Sequence, residues 1–328
     1  MQSVKTAPLL RAVPGYAAVI SAPRQIDVRG VEFRAPAAAE VRVKIEGCGV
    51  CASNLELWLG KPWFQYPVEP GAPGHEAWGR IEAVGEGVVD LAVGERVAML
   101  SSNAFAEYDF ARGADVVRLP DDGPFPAEPL GCAVNIFKRG NIRRGETVAI
   151  VGTGFLGLLV VQLAVNAGAR VLALSHRHSS LELAREFGAS ATIEIHDKQL
   201  AAQSVTELTG GRGCECVIEA AGKQESLDLA TELTSERGRL VIAGYHQDGP
   251  RQVNMQLWNW RGLDVINAHE RDPTVYVAGM REAIAAIEAG VLNPQPLYTH
   301  TFKLAELSQV FHTLERSPEG FVKALIKL

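Results

Sequence analysis

Three segments in the N-terminal part of the chain carry side chains that could bind a metal or move a proton. Gly47-Cys48-Gly49-Val50-Cys51-Ala52-Ser53-Asn54 offers two thiols and a hydroxyl, Gly74-His75-Glu76 an imidazole and a carboxylate, and Glu128-Pro129-Leu130 a further carboxylate. Thiolate, imidazole and carboxylate are donors for a tetrahedral zinc, and a site with three protein ligands leaves a fourth position open for chemistry. Taken singly, each has a plain alternative. A buried Cys packs as a small hydrophobe, an isolated His is ordinarily hydrogen-bonded, and Glu before Pro is common in loops.

A second stretch, Val148-Ala149-Ile150-Val151-Gly152-Thr153-Gly154-Phe155-Leu156-Gly157, passes from an apolar strand pattern through GxGxxG into a helical one. Gly152 permits the tight turn, Gly154 lets a pyrophosphate approach the backbone, and Gly157 allows helix and strand to pack closely. The free N–H groups of the helix start, at Phe155 and Leu156, favour an anion. The pattern predicts dinucleotide binding. An acid about 20 residues further on usually bonds the adenosine ribose, but here the second strand ends Leu174-Ser175-His176-Arg177 with none. Ser175, Arg177 and a neighbouring histidine, His176 or His178, are suited to a 2′-phosphate, so NADP(H) is expected over NAD(H).

These residues need two kinds of scaffold. Short apolar runs at 17–20, 41–45, 79–84, 96–100 and 116–119, broken by Gly and Pro, predict a partly open β-barrel. From about residue 142 the texture changes to strand runs at 148–151, 171–174, 191–195, 216–219, 239–243 and 263–267 separated by helical patterns, which predicts an α/β unit with a doubly wound, six-stranded parallel sheet. Leu156, Val160, Leu163 and Ala167 recur at helical spacing over 157–169. Ser179 with Glu182 reads as a capping box opening a helix over 181–187 that Gly188 stops. Helical patterns at 276–289 and 304–314 and a last apolar run at 322–328 predict that the chain returns to complete the barrel, leaving a cleft between domains. The strand ends at Ala220-Ala221 and Gly244-Tyr245-His246 would face that cleft, against ribose and nicotinamide. The boundaries expected are 1–128, 129–268 and 269–328.

The composition fits such a molecule and excludes others. At 328 residues the chain is long for one domain, and 47% hydrophobic with 21% charged residues is ordinary globular usage. A net charge of −6 with scattered Lys and Arg gives no footprint for nucleic acid or an anionic membrane, so the expected partner is a small molecule. No apolar run is long enough to span a bilayer and residues 1–16 lack an export-signal core, so a cytoplasmic location is expected. Five cysteines, an odd number without such a signal, argue against a disulfide framework.

Together, the Cys-x-Ser segment, Gly-His-Glu followed by Gly79-x-x-x-x-Val84-Gly85, Gly94-Glu-Arg-Val97, Glu128-Pro-Leu and GTGFLG resemble the zinc-dependent medium-chain dehydrogenase/reductase superfamily of alcohol and polyol dehydrogenases, over nearly all of 16–328. The resemblance implies a GroES-like catalytic domain completed by the C-terminal segment and a Rossmann domain between. It implies one catalytic zinc on Cys51, His75 and Glu128, with Glu76 beside the metal as an alternate or supporting ligand. Ser53 would be the hydroxyl that bonds the substrate oxygen and passes its proton on, Cys48 would have no ligand role, and Lys323 would reach the pyrophosphate or face solvent. A homodimer or tetramer is also implied, commonly by edge-to-edge pairing of the nucleotide-domain sheets.

Departures from the family pattern shape further expectations. Asn54 stands where an Asp usually supports the zinc-bound His, which would weaken metal affinity. Glu56 stands where a His often ends the proton relay, and would either export the proton from near the surface or merely be solvated. No four-cysteine lobe for a structural zinc is present in 101–108. Trp58, Trp63, Phe64 and Tyr66 would either stack on a ring-shaped substrate or pack the barrel. The polar run 267–272 would contact substrate or cap the interdomain hinge. The expected reaction is hydride transfer between NADP(H) and a secondary alcohol, polyol or sugar-like hydroxyl and its ketone. The alternatives are a zinc-free quinone or enoyl reductase on the same fold and a nucleotide-binding protein that has lost catalysis.

Overall fold

The computed structural model describes residues 11–120 and 122–328; most of the N-terminal stretch read for an export signal lies outside them. The barrel begins with a hairpin of β1 (Val13–Ala22) and β2 (Gln25–Phe33). It continues through β3 (Glu40–Val50), helix α1 (Leu55–Leu59), β4 (Glu76–Val84), β5 (Arg96–Met99), β6 (Tyr108–Arg112) and β7 (Val116–Arg118). Strand β2 escaped the hydrophobic pattern because Asp27, Arg29 and Glu32 leave it no continuous apolar face. Its register against β1 comes from backbone pairing of Ile26 with Ile20 through Phe33 with Val13.

Helix α2 (Ala127–Gly140) leads into the second domain. Sequence had suggested a loop at Glu128-Pro129, yet Pro is tolerated in a helix's first turn, where its missing N–H would have no partner. There follow β8 (Thr147–Val151), α3 (Phe155–Asn166), β9 (Arg170–Ser175), α4 (His178–Glu186), β10 (Ala191–Glu194), α5 (Lys198–Leu208), β11 (Cys214–Glu219), α6 (Gln224–Leu233), β12 (Thr234–Ile242), α7 (Met255–Arg261) and β13 (Asp264–Asn267). All six strands are parallel in the order β10-β9-β8-β11-β12-β13, the doubly wound arrangement expected. Order reverses beside β8, which is where such sheets place a ligand, outside the strands' carboxyl ends.

The capping-box reading at Ser179 is corrected. Arg177 is the N-cap of α4 and Ser179 already lies within its first turn. Glu182 pairs sideways with His178 at 3.3 Å instead of closing a box.

Helix α8 (Pro273–Glu288) packs along α2. The chain then returns through β14 (His300–Lys303), α9 (Leu307–Arg316) and β15 (Ala324–Lys327), and β15 pairs with β3, register Ala324 to Val50 through Lys327 to Gly47. The seven-stranded barrel sheet therefore contains residues from both ends of the sequence. Its core of Ile20, Val43, Trp58, Met99, Phe105 and Phe311 is separate from the layers on the two faces of the parallel sheet.

Candidate active site

Antiparallel pairing of β3 with β4 sets Gly49 opposite Glu76. Cys51 therefore leaves one strand beside the point where His75 enters the other. A Cβ on residue 49 would lie 1.9 Å from Glu76 Oε2, so only Gly allows the carboxylate to turn inward here. After Cys51, with extended backbone, the chain makes a short turn, Ala52–Asn54, that aims Ser53 into the interdomain cleft.

Among the described residues, one set of three potential metal donors lies with its ligand atoms within 4.8 Å of each other: Cys51, His75 and Glu76. Glu76, expected beside the metal, is the carboxylate that converges on the Cys51–His75 pair. Glu128, in the first turn of α2, is partly buried, faces His75 electrostatically and accepts a hydrogen bond from the Cys132 thiol at 3.3 Å. Burial pushes the Glu128 carboxyl up, and His75 pulls it down. Burial also opposes the His75 imidazolium, but the Cys51 side chain, Glu128 and Glu76 outweigh it and raise His75 to about 10. The same contact draws Cys51 below its ordinary 9.0 in spite of burial. Cys48 points into the barrel core, where burial pushes its thiol well up.

The residues fit a zinc ion. His75 Nδ1 lies 2.9 Å from the Pro73 carbonyl; donating there leaves Nε2 free for a metal. Asn54 does not remove this support. Its amide donates to the same Pro73 carbonyl at 3.2 Å and its Oδ1 accepts from the Cys51 N–H at 3.3 Å, so a clamped backbone carbonyl does what a carboxylate does elsewhere. Glu76 is completely buried, and its Oε2 has no hydrogen-bond partner, an orphaned acceptor of the kind a cation satisfies.

Lys323 is not at the surface but lines the cleft beside the dinucleotide turn. It is buried, donates to Glu76 Oε1 at 2.6 Å and lies 4.8 Å above the Phe155 ring. Although burial works against the ammonium, Glu76 and Cys51 hold its pKa above the ordinary lysine value. Glu56 is also buried, not at the surface: it lines the cleft, with Lys61 at 3.4 Å and Oε2 without a hydrogen bond.

The opposite wall of this cleft, about 370 Å³ in volume, is the GxGxxG turn. Gly152 has φ +100, and a Cβ on Gly157 would fall 2.1 Å from the Gly152 carbonyl, so tight turn and close packing are both realised. Gly154 caps α3, and the nearest atom to a Cβ there would be Arg177 at 3.9 Å. Phe155, Leu156, Ala220, Ala221, Gly244 and Tyr245 line the same cleft. Two expected contacts are otherwise engaged. The Ser175 hydroxyl is buried, 3.0 Å from Ser180 Oγ and accepting from the Arg177 N–H. His246 lies 2.9 Å from Glu219 through Nε2 and accepts from Arg251 through Nδ1. His176 is exposed at the end of β9, and His178 is taken up by Glu182.

Three contributors were missed. Glu219, fully buried at the end of β11, accepts from the Ala221 and Gly222 N–H groups at 2.8 and 2.7 Å and from Ser226. It thereby shapes both strand-end loops; an acid closing an apolar run was the available signal. Gln247 crosses between domains to the Ser53 carbonyl at 2.9 Å. Glu319 reaches α4 from the far end of the chain, which no local pattern could reveal.

None of the loop aromatics lines the cleft. Trp58 is fully buried and stacked on Phe311 at 5.1 Å, Tyr66 bonds the Leu57 carbonyl, and Trp63 is exposed against Phe64. Asp272 caps α8 and Asn267 braces Arg139 and His269, so the polar run 267–272 is a cap and brace. No helix among the described residues is long and apolar enough to cross a membrane.

Residues 37–121 match the alcohol dehydrogenase GroES-like domain and residues 156–286 the zinc-binding dehydrogenase domain. A sorbitol dehydrogenase of Halalkalibacterium halodurans is 25% identical over 85% of this chain and 90% of its own length. A protein from Sinorhizobium meliloti solved bound to NADP superposes with a TM-score of 0.83 at 26% identity, covering 96% of this chain and all of that one. A protein from Escherichia coli described as a short chain alcohol dehydrogenase, complexed with NADH, gives 0.84 at 25%, covering 96% and 99%.

Proposed function

The chain belongs to the zinc-dependent medium-chain dehydrogenase/reductase superfamily, and from that membership we propose an NAD(P)-dependent oxidoreductase acting on CH–OH groups. It interconverts a secondary alcohol, polyol or sugar-like hydroxyl and its ketone, with one zinc held by Cys51, His75 and Glu76. The observation that carries this reading is the convergence of those three donors within 4.8 Å beside a cleft whose other wall is the dinucleotide turn. A zinc-free quinone or enoyl reductase has no use for such a set. The sorbitol dehydrogenase relative supports a polyol-type substrate.

When bound, zinc supplies Lewis-acid stabilisation of negative charge on the substrate oxygen, and the nicotinamide accepts or returns hydride. The chain's own residues do the rest. Ser53 faces the cleft and takes the hydroxyl proton of the substrate. Glu56, buried on the same wall with its Oε2 ion-paired to Lys61 at 3.4 Å, receives that proton and releases it to solvent beside Lys61. Gln247, bonded to the Ser53 carbonyl, fixes the distance between substrate-side and nucleotide-side walls. Apolar Leu55, Leu314 and Val322 around the cleft exclude water, which strengthens charge interactions within it.

Arg177, with no acid on its own strand end, favours NADP(H) over NAD(H). A second copy would add its sheet at the β13 edge, where Val265 is exposed. Metal analysis of purified protein, joined to NADPH and NADH fluorescence titrations and a polyol and ketone screen, tests the proposal. About one zinc per chain is expected; no zinc with intact NADPH binding would overturn it.

A further inference from the structure

The end of β9 carries no acid of its own, yet an acid is present there in space. Glu319, in the segment between α9 and β15, accepts a hydrogen bond from the Ser179 N–H in the first turn of α4. The contact is reciprocal, because the Gly320 N–H donates to Ser179 Oγ at 3.0 Å. Beside it the Arg177 guanidinium donates to the Ser317 hydroxyl at 3.3 Å and to the Phe321 carbonyl. Hydrogen bonding to Ser179, and the nearby charges of Arg177 and His178, hold the Glu319 carboxyl below the ordinary glutamate value.

This is the region where a dinucleotide places the 2′ position of its adenosine ribose, just beyond the second strand. A 2′-phosphate would need the same partners that Glu319 and its neighbours now hold: the Arg177 guanidinium and an N–H of the α4 start. A carboxylate in that place repels a phosphate dianion and is compatible with ribose hydroxyls. We propose that Glu319 is a specificity-determining residue for the cofactor, supplied by the C-terminal segment rather than by β9, and that it restrains the NADP(H) preference which Arg177 confers. The inference rests on the reading that this cleft binds a nicotinamide dinucleotide with its adenosine end at β9.

Glu319 is exposed, so salt screens its charge, and the effect is modest but selective. In E319Q the amide oxygen still accepts from Ser179 while the charge is gone. The ratio of NADH to NADPH dissociation constants, measured by fluorescence titration at low salt, should rise by about three- to tenfold toward NADPH. The fragment pair 2′,5′-ADP and 5′-AMP, measured by calorimetry, should shift likewise. A purely structural cap would move both cofactors together. An unchanged ratio in folded E319Q, with wild type binding both cofactors, overturns the inference alone. Wild type that binds neither overturns the dinucleotide reading and this inference with it.

Discussion

Lys323→Met isolates what holds the metal-free site together. Glu76 is completely buried, one oxygen bonded to Lys323 Nζ at 2.6 Å and the other without a partner. Removing the ammonium leaves a carboxylate with no cation in direct contact, and breaking one side of such a buried pair costs about 3–5 kcal/mol. Met preserves most of the apolar stem and its contact with Phe155, so the loss is chiefly electrostatic. The metal-free variant should therefore melt on the order of 5–10 °C below wild type. Zinc changes the arithmetic, because a cation on Glu76 replaces the lost partner, and the loss in zinc-loaded protein should fall to about 1 kcal/mol. The double variant E76Q/K323M, which removes the charge along with its partner, should recover most of the metal-free stability, since neutral groups avoid the uncompensated charge. Thermal melts of the four proteins with chelator and with zinc provide the measurement. An equal loss with and without zinc, or no recovery in the double variant, would refute the reasoning.

Other expectations concern the metal, the loops and the strand pairing. C51S and E76Q should lose zinc on gel filtration, whereas E128Q should keep it; metal analysis that showed E128Q losing zinc and E76Q keeping it would make Glu128 the third ligand. In the metal-free site the Cys51–His75 pair holds one proton more than a metal-bound thiolate and neutral imidazole can carry. With His75 raised to about 10, zinc uptake at neutral pH must expel a proton, and affinity should climb about tenfold per pH unit below that value. Calorimetry in buffers of different ionisation enthalpy reads this directly, and zero proton release contradicts it. E219Q should weaken NADH and NADPH binding together by on the order of tenfold, because one charged acceptor orders the Ala221 and Gly222 N–H groups; unaltered dissociation constants would leave Glu219 without that role. Gly49→Ala should cost more than about 2 kcal/mol by forcing apart Cβ and the Glu76 carboxylate, and a wild-type melt would show that β3 and β4 can shift to absorb it.

Much of this protein is written locally. GxGxxG demands a particular turn between strand and helix, and the apolar runs of β8, β9 and β11 bury in the middle of a sheet covered on both faces, so six strands and their order class were readable from pattern alone. Cys51, His75 and Glu76 were recognisable as donors because few residue types can ligate a metal. Weakly patterned elements were not readable. Strand β2 buries little, and α2 begins with residues that also suit a loop.

What tertiary structure alone decided is which of several suitable side chains meet. The β3–β4 register turned Glu76 into the Cys51–His75 cluster. Pairing of β15 with β3 carried Lys323 onto Glu76, 247 residues away in sequence. The turn after α9 brought Glu319 to a strand end that lacks an acid. Residue type and local period determine what a segment can form and which chemistry it can offer. Distances between segments far apart in the chain depend on the closure of the barrel, where sheet register and core packing act on every residue at once, and no local pattern contains that sum.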